Sequence, residues 1–249
     1  MSLALLNRAT GRFLLAMLGA LLLVPTWSSA DDKQPQSDAV KPVSRSEKGW
    51  LQRHIRFVVR AKQGNVDVLF LGDSITQGWE TNGAKVWKNR YEPLHAANFG
   101  IGGDRTQHVL WRIKDGNELT GIQPKAVVLM IGTNNMGSNS AEQIADGISA
   151  IVQELRSQRP EAKLLLLGIF PRSAKPTDKL RDKIKDVNAI IAKLDDGKNV
   201  RYLDIGDKFL EKDGTLSKQI MPDYVHLTAR GYEIWADAIQ PSLDEMLKK

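Results

Sequence analysis

Four short segments of this 249-residue chain hold groups able to move a proton or stabilise a negative charge. Late in the sequence, Asp223 precedes His226 by three residues. A carboxylate at that spacing can fold back to hold the imidazole Nδ1–H, which leaves Nε2 free to take a proton from a serine. Far upstream, Gly72-Asp73-Ser74-Ile75-Thr76 follows an apolar run. A serine at a strand-to-helix turn can present its hydroxyl to solvent, and its N–H lies where helix donors are unpaired. Between these two lie Asn98-Phe99-Gly100-Ile101-Gly102-Gly103-Asp104 and Gly132-Thr133-Asn134-Asn135. The glycines allow positive φ and close approach of the backbone to a ligand. The Asn134 carboxamide can donate to a developing oxyanion.

Each segment also has an ordinary structural explanation: an N-cap serine, a flexible turn, an Asn-rich turn, or a solvated turn leading a helix. The serine does not stand in Gly-x-Ser-x-Gly, so the α/β-hydrolase elbow does not fit. Arg105 occupies the place of the last glycine of a dinucleotide fingerprint. An Asp–His pair could ligate a metal, but no second histidine or acidic cluster accompanies it. His54 and His108 lie in helical stretches and His95 in a loop, where each reads as structural or exposed.

The elements that would position these groups are legible from periodicity. Short apolar runs at 66–71, 96–99, 126–131, 163–169 and 200–203 read as buried parallel strands. Helical spacing of apolar residues recurs over 50–61, 141–157, 178–194 and 228–247. Strands alternating with helices give βαβ units, hence an α/β fold: a single three-layer α/β/α domain, with a parallel, flavodoxin-like sheet, over 49–249. In such a sheet the site lies beyond the carboxyl ends of the strands, where the first three chemical segments fall.

The flanks and composition narrow the function class. Arg8 and Arg12 precede an apolar stretch, Phe13 to Val24, and Ser28-Ser29-Ala30 offers a cleavage site. Residues 1–30 therefore read as a signal peptide, residues 31–48 as a polar linker, and the product as secreted or periplasmic. The apolar run falls short of the ~20 residues of a membrane span, so no stable span is expected after cleavage, although retention as an anchor is the competing reading. The chain has no cysteine, which excludes thiol nucleophiles, disulfides and a lipid-modified cysteine. Its net charge of +6 is dispersed among acids with no basic run interleaved with aromatics, so no nucleic-acid partner is expected.

Together, and in this order, the four segments resemble the SGNH (GDSL-type) hydrolase family. The run Asn98 to Asp104, His108-Val109-Leu110-Trp111-Arg112, Gly132-Thr133-Asn134-Asn135 and Asp223 to Thr228 resemble more particularly the catalytic subunits of intracellular platelet-activating-factor acetylhydrolase. The resemblance covers 50–247. It implies a serine esterase with Ser74 as nucleophile, His226 as base and then acid, and Asp223 orienting His226. The implied oxyanion donors are the Ser74 N–H, the Gly103 N–H and the Asn134 side chain. It calls for no cofactor and no metal. The expected substrate is a short-chain, most simply acetyl, ester on a glycan or small molecule. A phospholipid or lysophospholipid acylhydrolase and a non-catalytic binding protein on the same fold are the alternatives, and a homodimer stays open.

Overall fold

The computed structural model describes residues 37–248. Within it, β1 (Val68–Gly72) and β3 (Ala126–Met130) are buried at every position, as a strand covered on both faces requires. The other strands are β2 (Ala96–Gly100), β4 (Lys163–Leu167) and β5 (Val200–Leu203). All pair in parallel, in the spatial order β2-β1-β3-β4-β5. That is the doubly wound, flavodoxin-like order expected from the sequence.

Successive side chains of a strand point to opposite faces, and here they feed two separate cores. Leu69, Leu71, Val127, Leu129, Leu164 and Leu166 join the core roofed by α1 (Lys48–Lys62), α4 (Thr106–Lys114), α5 (Ala141–Gln158) and α6 (Lys179–Ile191). Val68, Phe70, Val128, Met130, Leu165 and Leu167 face the other, an aromatic core of Trp79, Tyr91, Tyr232 and Trp235. That side is closed by α2 (Ser74–Gln77), α3 (Ala84–Arg90) and α7 (Ala229–Leu247). The three layers follow from this alternation, which also explains why the apolar runs were continuous.

The expected strands and long helices appear within a few residues of their anticipated bounds. Two features differ. The short α3 has no apolar periodicity to announce it. The stretch 31–48, expected to be a linker, is packed against the body in its described part, from residue 37 onward. Asp38–Val40 forms a 3-10 turn capped by Ser37, and Ala39 is fully buried. Thr106 Oγ1 donates to the Ala39 carbonyl at 2.8 Å, Asn139 Nδ2 to Asp38 Oδ1 at 2.6 Å, and the Val43 N–H to the Gln107 carbonyl at 3.2 Å. Hydrogen bonds rather than apolar area hold this strap, so a polar composition did not reveal it. The signal peptide expected at 1–30 lies outside the described residues. No described helix is long and apolar enough to cross a membrane.

One glycine fixes how the sheet meets its first helix. A Cβ on Gly100 would lie 2.3 Å from the Gln77 nitrogen and 2.8 Å from the Asp73 carbonyl oxygen. The backbone of α2 thus rests directly on the end of β2.

Candidate active site

The loops beyond the carboxyl ends of β1, β2 and β3 converge on Ser74. Asp73 is the N-cap of α2: its Oδ1 accepts the Ile75 N–H at 2.9 Å. Ser74 is the first helical residue, so its hydroxyl is spared the capping role that a serine at such a turn often takes. The loop before α7 delivers the partner. Asp223 Oδ1 accepts the backbone N–H groups of Val225 at 3.0 Å and His226 at 2.8 Å, which folds the segment into an Asx turn. The same carboxylate meets His226 Nδ1 through Oδ2 at 2.6 Å, and His226 Nε2 stands 2.8 Å from Ser74 Oγ. The structure thus brings Ser74, His226 and Asp223 into one hydrogen-bonded chain.

The charge states suit that chain. Partial burial acts to raise the Asp223 pKa, but hydrogen bonds from the His226 ring and the two backbone N–H groups outweigh it and hold it at about 2. Asp223 is therefore an anion through the neutral range and favours an imidazole proton on Nδ1. Asp73, next to the serine, is the opposite case. Complete burial raises it to about 7, against its backbone hydrogen bond to Ile75, and Oδ2 has no partner.

Gly103 lies in the left-handed region, φ 79°, and its N–H donates to no described residue, nor does that of Ser74. The neighbouring Gly102 N–H donates to Gln77 Oε1 at 2.7 Å. Asn134 uses one side-chain hydrogen on the Asp104 carbonyl at 2.9 Å, and the second hydrogen of its amide remains for another acceptor. Asn135 plays a different part. It is buried, accepting the Thr106 N–H and donating to Thr106 Oγ1, Gln107 and Asn139, which ties the loop after β3 to α4. A cleft of about 410 Å³ opens over Ser74, walled by Gln77, Asn82, Gly102, His226 and Leu227.

Support beneath the site comes from Arg112, which is wholly buried. It bonds Asp104 Oδ2 at 2.8 Å, Glu118 Oε2 at 2.7 Å and the Phe99 carbonyl at 2.5 Å. Trp50 Nε1 donates to the other Asp104 oxygen at 2.7 Å, and His54 Nδ1 meets Glu118 at 2.7 Å. His54 is thus structural. His108 Nδ1 accepts the Arg105 N–H at 3.0 Å, and burial together with Arg45 and Arg105 holds it down to about 4. His95 is exposed beside Asp67. Among the described residues no group of three or more His, Cys, Asp or Glu gathers as for a metal ion.

Gln77 and Tyr232 escaped the sequence reading, and Arg112 entered it only through the resemblance, with no role assigned. Gln77 sits three residues after Ser74, so one turn of helix would have brought it back toward the glycine run. Nothing local marked Tyr232.

Comparison with known proteins matches residues 70–234 to the GDSL-like lipase/acylhydrolase family. The chain is 46% identical over 184 residues to platelet-activating factor acetylhydrolase IB subunit alpha2 of Rattus norvegicus, covering 74% of this chain and 78% of that one. Among solved structures, a GDSL-like lipase from Bacteroides thetaiotaomicron superposes with a TM-score of 0.64 at 20% identity, covering 78% of this chain and 98% of that one. A catalytic mutant of an acetylxylan esterase from Geobacillus stearothermophilus gives 0.57 at 20% identity, with 73% and 94% covered. At those identities the two structures attest the fold.

Proposed function

The chain belongs to the GDSL-like lipase/acylhydrolase family, and we propose that it is an exported serine esterase acting on short-chain, principally acetyl, esters. The observation that carries this reading is the continuous hydrogen-bonded chain from Asp223 through His226 to Ser74.

In this reading Ser74 Oγ attacks the ester carbonyl while His226 Nε2 takes its proton. Asp223 holds the imidazole in the tautomer that leaves Nε2 unprotonated and offsets the imidazolium charge that forms. The oxyanion is met by the N–H groups of Ser74 and Gly103 and by the free Asn134 amide hydrogen. His226 then protonates the leaving alcohol. Water, activated by the same imidazole, releases the acid from the acyl-serine. All the groups that this sequence uses are on the chain itself.

Two observations support the acetyl preference. The connections from β1 to α2 and from β2 to α4 beside Ser74 are short, which favours a small acyl group over a long acyl chain. The relatives at 46% identity are named acetylhydrolases. For the alcohol side, an exported enzyme meets O-acetylated glycans and small esters. The same 46% identity to platelet-activating factor acetylhydrolase subunits favours, as a second reading, an acetyl group carried on a phospholipid.

Turnover of p-nitrophenyl esters from acetyl to octanoyl, with an acetylated xylo-oligosaccharide and an sn-2-acetyl phospholipid alongside, tests the proposal. Acetyl esters should be fastest, and a rate rising steadily to octanoyl rejects the acyl assignment. Fluorophosphonate labelling at Ser74 excludes the non-catalytic alternative. Export is tested by fractionating cells and sequencing the mature N-terminus, expected just after Ala30.

A further inference from the structure

Arg45 comes from the strap that composition marked as linker, yet its guanidinium lies on the glycine loop beside Ser74. Nη1 donates to the Gly102 carbonyl at 2.9 Å and meets Asp104 Oδ1 at 3.3 Å. A Cβ on Gly103 would be 3.0 Å from the same nitrogen. Nη2 is held in turn by Glu47 at 2.8 Å. The Gly102 carbonyl and the Gly103 N–H are the two ends of one planar peptide unit. The group that Arg45 bonds is therefore the back of the amide whose N–H faces the reaction.

We infer that Arg45 is a positioning residue that orients and polarises the oxyanion-binding peptide between Gly102 and Gly103. The inference rests on the esterase reading above. Two effects follow from the geometry. A peptide flanked by glycines rotates easily, and Arg45 fixes this one by its oxygen, while Gln77 Oε1 holds the preceding peptide through the Gly102 N–H. A cation donating to a carbonyl also draws electron density along the amide, which makes its N–H a better donor, since hydrogen bonds in a chain strengthen one another. Because a donor aimed at the oxyanion serves the transition state more than the ground state, Arg45 should influence turnover rather than substrate binding.

The strap as a whole reinforces this placement. Its other bonds run to Thr106, Gln107 and Asn139, residues that adjoin the glycine loop and the Asn134 loop. It therefore spans both loops that carry the side-on oxyanion donors.

The test compares the wild-type full chain with Arg45→Ala and Arg45→Lys, each normalised to active sites counted with fluorophosphonate. Removing an oxyanion donor outright costs about 10²–10³ in kcat. Loosening its peptide should cost on the order of tenfold, with KM changed by less than about twofold. Affinity for a trifluoromethyl ketone, which becomes tetrahedral on Ser74, should weaken in parallel with kcat. Arg45→Lys, which keeps a cationic donor, should recover part of both. A kcat per active site equal to wild type, or a kcat loss with unaltered ketone affinity, overturns the inference and leaves the esterase reading standing. A wild-type protein that hydrolyses no ester overturns both.

Discussion

The hydroxyl of Tyr232 donates a 2.6 Å hydrogen bond to the main-chain carbonyl of Ile75, 157 residues earlier in the chain. Tyr232 is buried in α7 and Ile75 follows Ser74 directly. The helix that follows His226 thus reaches under the turn that holds Ser74. Tyr232→Phe keeps the ring packing and strands a buried carbonyl, a loss of about 1–3 kcal/mol. Urea unfolding should show it, together with a lower kcat because the Ser74 turn is less firmly held. A variant as stable and as active as wild type would remove Tyr232 from the site's support.

Asp223→Asn should leave the Asx turn in place through Oδ1 but lose the charge opposite His226. Turnover of p-nitrophenyl acetate should fall by several orders of magnitude, on the order of 10⁴ in serine proteases that lose the equivalent charge, with KM little changed. If the variant retains more than about a tenth of wild-type turnover, a loss of under ~1.4 kcal/mol, then Asp223 is not the group that orients the histidine.

Stability should depend on pH through Asp73. Its folded carboxyl is raised to about 7, well above its unfolded value, so between about pH 4 and 7 the native state binds more protons than the unfolded one. Raising the pH through that window therefore costs stability. Asp223, held at about 2, acts in the other sense: it contributes stability above its unfolded value that is lost as the pH falls toward 2. His108, lowered to about 4, also favours the folded state as the pH rises toward neutrality. Comparing Asp73→Asn with wild type isolates the first effect. The asparagine variant should gain relative stability from pH 4 to 7, of the order of a few kcal/mol. An identical pH dependence in the two proteins would show that Asp73 titrates alike in the folded and unfolded chain.

Arg112→Met tests the support under the glycine loop. The arginine neutralises Asp104 and Glu118 where neither reaches solvent. Removing one partner of such a cluster leaves buried charge uncompensated, typically a loss of about 3–5 kcal/mol. Denaturant unfolding should show a loss in that range, and a loss below about 1 kcal/mol would mean that the carboxylates find other partners or take up protons.

The parts of the fold that depend on local pattern could be read from the sequence. Continuous apolar runs marked the strands, and the rule that sites lie beyond the carboxyl ends of parallel strands directed attention to Ser74, Gly103 and Asn134. Asp223 and His226 are close in sequence, so their spacing alone suggested how the carboxylate could hold the ring. Arg112 entered that reading only through the resemblance: it sits on a helix, where an arginine is ordinarily solvated, and its partners Asp104 and Glu118, eight and six residues away, lie in the turns that flank the helix. What escaped notice altogether was nonlocal. Arg45 stands in a polar stretch whose anchors, Thr106, Gln107 and Asn139, lie some 60 to 100 residues away. Tyr232 carried the periodicity of a core residue, and its hydroxyl has a use only because α7 packs beneath α2.

The sequence separation of 152 between Ser74 and His226 also sets a timetable. Every strand of the sheet but none of α7 precedes the histidine in the chain, so a nascent polypeptide emerging from the ribosome carries Ser74 long before His226. Contacts between such distant positions form late, because the chain entropy of closing the intervening loop is lost before they are made. On the proposed reading, hydrolytic competence would therefore arise as a terminal event in folding, when the segment around His226 docks over an assembled sheet. A truncated or half-folded chain would hold an inert serine, and the first turnover of an ester would mark the moment at which the whole topology has closed.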